Sequence, residues 1–337
     1  MMTIERFLDG TSVTPARTYE AINWNENIDS FTQMFFDANT TNMWLDKEHT
    51  PANDRKTWGK LTEDEQDVYK KVLGGLTLLD TQQSIVGMPS LMEHVDGLQR
   101  KAMLSFMAMM ETIHAKSYST IFTTLIPSSR EIDDVFEWVK ENERLQTKAE
   151  TITYYYENIN DKKSLYLAMV ASVYLESFLF YSGFFYPLYL SGQGKMKSSG
   201  EIINFIIRDE SLHGVYIGML AQELYRELTP AEQAEVDAEA HALLGELLEN
   251  EFRYTEEVYA KIGLEHKVKD FVIYNANKAM MNLGKEPAYE EKDIEPAVMN
   301  GLRTESKASD FFSTKGSYFK AVHEPLQDSD FIFADAS

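Results

Sequence analysis

Apolar residues recur along most of this chain with the spacing of long helices. No stretch shows the apolar–polar alternation of strands joined by hairpin turns, so a sheet-based fold has little support. The pattern therefore predicts an all-α protein. The predicted helices cover residues 63–87, 98–126, 129–142, 145–158, 162–190, 199–226, 230–260 and 264–283.

Capping signals mark the start of several of these helices. A hydroxyl residue followed three positions later by glutamate is the signature of a capping box. The chain offers this pair at Thr62 and Glu65, at Ser128 and Glu131, and at Ser198 and Glu201. A fourth helix is expected to begin at Pro230, because Thr229 supplies an N-cap, the proline suits the first helical position and an acidic residue follows in the first turn.

The most apolar segment, residues 165–190, is long enough to cross a bilayer. Glu176 lies near its middle, and a charge at the centre of a spanning helix costs roughly 2.5–3.5 kcal/mol. A helix buried on all sides in a large bundle has the same composition. We therefore expect a core helix and no membrane span.

Composition narrows the possible functions. The net charge of −22 gives a surface that repels phosphate backbones, so nucleic-acid binding is not expected. The chain contains no cysteine, which excludes disulfides, thiolate zinc sites and thiol reductant chemistry carried by this chain. Because the N-terminus has no apolar run of signal-peptide length, a cytoplasmic location is expected.

A doubled ligand pattern carries the chemistry. Glu111 and His114 stand three residues apart in one predicted helix, and Glu210 and His213 repeat that spacing in another. Each pair follows an apolar segment with one central acidic residue: Asp80 lies 31 residues before Glu111, and a glutamate lies 34 residues before Glu210. Residues three apart share a helix face. Four carboxylates and two imidazoles on four helices are what a four-helix bundle uses to bind two metal ions.

The donor set suits manganese, iron or zinc, and two divalent ions would balance four carboxylates in a buried site. Tyr118 follows His114 by one helical turn and falls on the same stripe. A phenol beside oxidisable metal ions can lose one electron. The alternative for any one of the 18 tyrosines is a packed core residue, and proximity to the ligands is what distinguishes Tyr118.

The last segment, residues 303–337, differs from the helical part. It is polar, with small residues and scattered aromatics, which predicts a flexible tail after a helical domain of residues 1–302. Phe331 and Phe333 stand among acidic residues. Composition leaves two interpretations open: a disordered end, or a short docking peptide for another protein.

With these residues in place, the chain resembles the radical-generating small subunit of class Ib ribonucleotide reductases. The resemblance spans about residues 21–320. It rests on AINWN at 21–25, GLTLLDTQ at 75–82, HAKSYSTIF at 114–122, LESFLFYSGF at 175–184, IIRDE at 206–210 and NANKAMMNLG at 275–284.

The resemblance implies a ferritin-like fold and a role for each site residue. The implied ligands are Asp80, Glu111 and His114 for one ion and Glu176, Glu210 and His213 for the other, with Glu111 and Glu210 bridging. Tyr118 matches the tyrosyl radical position. Trp44 and Asp209 match the radical exit route, and Tyr318 matches the tail tyrosine that passes the radical on.

The implied activity is that of an oxidoreductase, a ribonucleoside-diphosphate reductase that makes deoxyribonucleotides for DNA synthesis. The implied partners are a cysteine-containing large subunit, a second copy of this chain in a homodimer and, for a dimanganese centre, a flavodoxin-like activase; a di-iron centre would form with oxygen. Two alternatives remain: a dimetal oxidase or monooxygenase on the same fold, and a cage-forming metal-storage protein.

Overall fold

The computed structural model describes residues 18–302, and this part is almost entirely helical. The α-helices are α1 (Thr32–Thr41), α2 (Arg55–Trp58), α3 (Glu63–Gln82), α4 (Met88–His94), α5 (Leu98–Leu125), α6 (Ser129–Glu141), α7 (Glu143–Glu157), α8 (Lys162–Tyr174), α9 (Tyr181–Gly192), α10 (Lys197–Glu227), α11 (Pro230–Tyr259), α12 (Glu265–Asn282) and α13 (Pro296–Leu302). No strand occurs within these residues, so the predicted all-α class is confirmed.

The centre of the molecule is a four-helix bundle. Helix α3 packs against α5, α10 packs against α8 and α9, and α9 closes the bundle against α3. Helices α6, α7, α11 and α12 pack around this core, and α13 lies along α9. Each ligand-bearing segment predicted from the sequence therefore belongs to the inner layer.

Two predicted helices are interrupted by π-helical turns. The expected helix 63–87 is α-helical only to Gln82 and continues as a π segment, Gln83–Gly87. The expected helix 162–190 contains a second π segment, Leu175–Leu179, which includes Glu176. A π turn inserts one extra residue into a helix and is frequently found at functional sites. Hydrophobic periodicity did not reveal either insertion, because the helices before and after each π segment keep a buried apolar face.

The apolar stretch that resembles a membrane span lies in the core. Over Lys162–Gly192 one window passes the length and hydropathy test for a span, and 94% of that window is buried inside the fold. Every residue from Tyr166 to Leu188 is buried. The burial agrees with the expected core helix.

The capping predictions were mostly correct. Thr62 forms the expected capping box, and Thr229 is the expected N-cap and also completes a capping box with Glu232. Ser128 forms only half of its predicted box, accepting a hydrogen bond from the backbone N–H of Glu131. The prediction at Ser198 was wrong, because α10 already begins at Lys197. A distant carboxylate caps this helix, as described below.

Candidate metal centre

The fold brings the six predicted ligand residues together at the centre of the bundle. All six side chains have no solvent exposure. They come from four segments: Asp80 from the end of α3, Glu111 and His114 from α5, Glu176 from the second π segment, and Glu210 and His213 from α10. Their ligand atoms form two overlapping groups, each within 4.8 Å, made by Asp80, Glu111, His114 and Glu210 and by Glu111, Glu176, Glu210 and His213.

Glu111 and Glu210 are common to both groups. His114 Nδ1 lies 2.9 Å from Oε1 of Glu210 and 3.4 Å from Oε2 of Glu111. His213 Nδ1 lies 2.7 Å from Oε1 of Glu111 and 3.3 Å from Oε2 of Glu210. Each of these glutamates therefore presents one oxygen to each imidazole, which is the arrangement that a bridging carboxylate between two ions requires.

The buried polar atoms of this cluster lack ordinary partners, which tests the fit of a metal. Within residues 18–302, both oxygens of Asp80, Glu111 and Glu210 are buried without a hydrogen bond, as are Nδ1 of His114 and both ring nitrogens of His213. Among residues 18–302, none of the four carboxylates pairs with a lysine or arginine. Buried charges without partners are strongly unfavourable, so the donor set fits two divalent cations.

The pKa values of the metal-free cluster also reflect buried charges that lack counter-ions. Burial, and then the neighbouring carboxylates, raises the pKa of Asp80 and of Glu176 well above the usual range. Burial opposes a charge on His114 and His213, but the facing carboxylates outweigh it and raise the pKa of both imidazoles. Burial also acts against ionised Glu210, yet the adjacent imidazoles lower its pKa overall.

Tyr118 lies on the same stripe of α5 as Glu111 and His114, as predicted, and is completely buried. Its hydroxyl has no hydrogen-bond partner in the described residues. Burial, and then the charge of Asp80, raises the pKa of this phenol well above its usual value. The phenol therefore keeps its proton at neutral pH, and loss of an electron requires loss of that proton as well.

A hydrogen-bonded path leads from the cluster toward the N-terminal segment. Trp44 Nε1–H donates to Oδ2 of Asp209 over 2.7 Å, and Nε2 of His114 lies 3.1 Å from the same oxygen. The rings of Trp44 and His114 are nearly parallel, with centroids 6.0 Å apart. Arg208 contacts the other oxygen of Asp209 at 3.3 Å. The structure thus links the predicted Trp44 and Asp209 to a predicted ligand.

Gln83 was not predicted as a site residue, although it contacts Glu176 directly. Its amide nitrogen donates to Oε1 of Glu176 and, over 3.0 Å, to Oγ of Ser172. Its amide oxygen accepts a 2.6 Å hydrogen bond from the hydroxyl of Tyr156. A signal was available, since Gln83 follows Asp80 by three residues and so falls on the same helix face.

Other predicted residues fall outside the described part of the chain. Tyr318, Phe331 and Phe333 all lie beyond residue 302, so their roles and the boundary of the tail stay predictions.

Comparison with known proteins gives consistent matches. The family model for ribonucleotide reductase, small chain, matches residues 21–296. The ribonucleoside-diphosphate reductase subunit beta of Bacillus phage SPbeta is 58% identical over 323 residues, covering 95% of this chain and 98% of the relative. The subunit of the same name from Bacillus subtilis is 57% identical over the same length and coverage.

Solved structures agree with these matches. Dimanganese(II)-NrdF of Streptococcus sanguinis superposes with a TM-score of 0.82 at 44% identity, covering 85% of this chain and all of that one. A putative class I ribonucleotide reductase of Bacillus halodurans gives 0.72 at 27% identity, covering 81% and 97%. These matches favour the reductase over the oxidase and storage alternatives. The chain belongs to the ribonucleotide reductase small chain family, in its class Ib branch, whose members are the radical-generating beta subunits of ribonucleoside-diphosphate reductases with a dimanganese or di-iron centre.

Proposed function

We propose that Asp80, Glu111, His114, Glu176, Glu210 and His213 bind two manganese or two iron ions and that Tyr118 stores the radical. The observation that carries this proposal is the set of buried, unpartnered ligand atoms that face one another across four helical segments. Two such ions, once oxidised by oxygen or by an oxidant that the flavodoxin-like activase supplies, would provide a one-electron oxidant beside the phenol. The division into a helical domain of residues 1–302 and a docking tail of residues 303–337 belongs to the same proposal.

The surroundings of Tyr118 suit a long-lived radical. Burial excludes water and reductants from the ring, and the unpartnered hydroxyl leaves its proton free to move to a nearby carboxylate. Asp80 is the carboxylate whose charge acts most strongly on this phenol, so we assign it as the proton acceptor. Phe178 and Phe184, which follow Glu176 closely in the sequence, are fully buried as well.

The exit route in this proposal runs through one oxygen atom. If Nδ1 of His114 binds a metal, its Nε2 carries the proton and donates to Oδ2 of Asp209, which also accepts from Trp44 Nε1. Asp209 then keeps the rings of His114 and Trp44 at a fixed distance and orientation while an electron and a proton move along the path. Beyond Trp44, we assign Tyr318 as the tail residue that passes the radical on.

Small chains of this family work with a large subunit and form homodimers. The absence of cysteine from this chain fits that division of labour, because the reducing thiols must come from the large subunit. We further assign Phe331 and Phe333 to docking on that subunit, a flavodoxin-like activase to assembly of a dimanganese centre, and the cytoplasm as the location.

The first experiment is electron paramagnetic resonance after the full chain is loaded with Fe(II) in air. Wild type and Tyr118→Phe are compared with Tyr174→Phe, a control at a buried tyrosine whose hydroxyl donates to the carbonyl of Ala240. We expect a tyrosyl signal in wild type and in the control, and none in Tyr118→Phe. All three proteins should bind the same amount of iron.

One result would contradict the assignment, and a second would limit it to manganese. A tyrosyl signal that persists in Tyr118→Phe would place the radical elsewhere. Bound iron without any radical in wild type would exclude the di-iron route, and the same comparison would then be repeated with Mn(II) and a flavodoxin-like reductant.

A further inference from the structure

The two π segments of the bundle meet at a single hydrogen-bonded side chain. Gln83 opens the first π segment, and Glu176 lies in the second. Gln83 is fully buried and directs one amide hydrogen to Glu176 in the second segment and the other to Ser172 on α8, just before that segment. Tyr156, on α7, donates to the amide oxygen from the opposite side. Nearly all hydrogen-bonding capacity of this amide is therefore used.

We propose that Gln83 is a positioning residue that occupies one oxygen of Glu176, leaves the other for a metal ion, and thereby sets the affinity of the ion position next to His213. The proposal rests on the dimetal function proposed above. Oε1 of Glu176 accepts from Gln83, whereas Oε2 has no hydrogen bond to any described residue and lies 3.7 Å from Nδ1 of His213. Glu176 is thus presented to the cluster through one oxygen.

The other terminal carboxylate lacks such a restraint. Both oxygens of Asp80 are buried without a hydrogen bond from the described part of the chain, so Asp80 can offer either or both to an ion. The two ion positions consequently differ in their surroundings: the one beside His114 has an unrestrained aspartate, and the one beside His213 has a glutamate restrained by an amide. A side chain that orients a metal ligand typically changes metal affinity about 10- to 100-fold when removed.

Chemistry and packing both fix the orientation of the amide. A reversed Gln83 would place its carbonyl oxygen against a carboxylate oxygen of Glu176 and would lose the hydrogen bond from Tyr156. Gly87 leaves the space that this arrangement needs, because a Cβ atom there would lie 2.3 Å from the Gln83 amide oxygen and 2.7 Å from the ring of Tyr156. The π turn and its final glycine therefore support the same side chain.

The test is an anaerobic titration of the full-length, metal-free protein with Mn(II), in which free Mn(II) is measured by its paramagnetic resonance signal. Gln83→Leu keeps the size of the side chain but removes the amide. We expect wild type to bind two ions per chain. In Gln83→Leu, one ion should bind as in wild type and the other about 10- to 100-fold more weakly.

Gln82→Leu is the matched control, since this neighbouring glutamine is only half-buried and contacts Thr153 on α7 at 3.4 Å. It should bind both ions as wild type does. Tyr156→Phe should weaken the same single ion less than Gln83→Leu. The double variant should be no weaker than Gln83→Leu alone, because the tyrosine acts through the amide.

Several results would overturn the inference. Two ions bound by Gln83→Leu with wild-type affinity would show that the amide does not act on Glu176, and equal weakening of both ions would indicate a general structural defect. If Gln83→Leu does not fold, Gly87→Ala provides the second test, because its methyl group displaces the amide without deleting it; unchanged binding there would also contradict the proposal. Failure of wild type itself to bind Mn(II) would instead overturn the proposed dimetal function.

Discussion

Two groups of buried charge in this protein are balanced in different ways. The metal-centre cluster contains four carboxylates and two imidazoles, and none of the four carboxylates pairs with a lysine or arginine in the described residues. A second group joins α7 to α11, where Lys148 Nζ lies 2.6 Å from Oε2 of Glu251 with both side chains almost fully buried. Lys148 also sits 4.1 Å from the ring centroid of Tyr254.

The difference separates a structural site from a functional one. Lys148 balances the charge of Glu251 within the protein, so that pair needs no cation from solution. The carboxylates of the metal-centre cluster can be neutralised only by protons or by cations that enter from solution. The buried carboxylate of Asp54 is balanced in a third way, by backbone hydrogen bonds. It accepts from the N–H groups of Ser198 and Ser199 at 3.2 and 2.7 Å and so caps α10.

Asp80→Asn tests the metal-centre side of this comparison and should have the largest effect. The amide keeps the shape of the side chain but is a poor ligand, so metal binding, the radical signal and nucleotide reduction should all be lost. Stability of the metal-free protein should be unchanged or higher, because a buried acid that resists ionisation has been removed. Metal analysis and thermal unfolding check both statements. A variant that is active, or markedly less stable without metal, would contradict this account.

Lys148→Met tests the buried ion pair between Lys148 and Glu251. Removing one partner of a buried ion pair leaves an uncompensated charge, which costs about 3–5 kcal/mol of unfolding free energy. Metal content per folded chain should not change. The control is the double variant Lys148→Met with Glu251→Leu, which should recover most of the lost stability. Chemical denaturation of the metal-free proteins provides the measurement, and equal instability of the single and double variants would argue against a simple charge effect.

The pH dependence of stability should distinguish the metal-free from the loaded protein. Asp80, Glu176, His114 and His213 all have a raised pKa in the folded, metal-free state. The stability that each of these groups contributes is fully present below its pKa in the unfolded state. It is lost as the pH rises through its pKa in the folded state. The metal-free protein should therefore lose stability as the pH rises above about 4, where the carboxyls ionise in the unfolded state. It should lose more above about pH 6.5, where the imidazoles lose their protons in the unfolded state. Because the pKa of Glu210 is lowered, the stability that this group contributes is lost as the pH falls, and this happens only in more acidic solution.

Metal ions should reverse this trend, because they bind the deprotonated ligands and compete with protons. The difference in melting temperature between loaded and metal-free protein should thus widen from pH 5 to pH 8. Lys148→Met should show the same widening, since it leaves the metal-centre cluster intact. A constant difference across this range would mean that the ligands do not exchange protons for metal.

Asp54→Ala should give the smallest effect. Loss of a side chain that caps a helix costs about 0.5–2 kcal/mol. Because α10 carries Glu210 and His213, slight loosening of its first turn should lower stability without removing either ion. Thermal unfolding and metal analysis of the loaded protein make the comparison. Loss of a metal ion in this variant would show that the cap also positions the ligands.

Local patterns in the sequence gave most of the helices and the ligand set. The spacing of Glu111 and His114, and its repeat at Glu210 and His213, predicts a shared face within one helix, because that relation depends only on the helical repeat. The structure places these pairs and Tyr118 as expected. The capping box predicted at Ser198 failed because Asp54, far away in sequence, supplies the cap.

The sequence by itself determined an all-α chain, an acidic surface, the absence of thiol chemistry and a doubled set of carboxylate and imidazole ligands. These features follow from composition and from contacts within one or two helical turns. Only the tertiary structure decided that Gln83 holds Glu176, that Asp54 caps α10, and that Lys148 neutralises Glu251. Each of these contacts joins residues far apart in the chain, and their partners are chosen by helix packing rather than by local spacing.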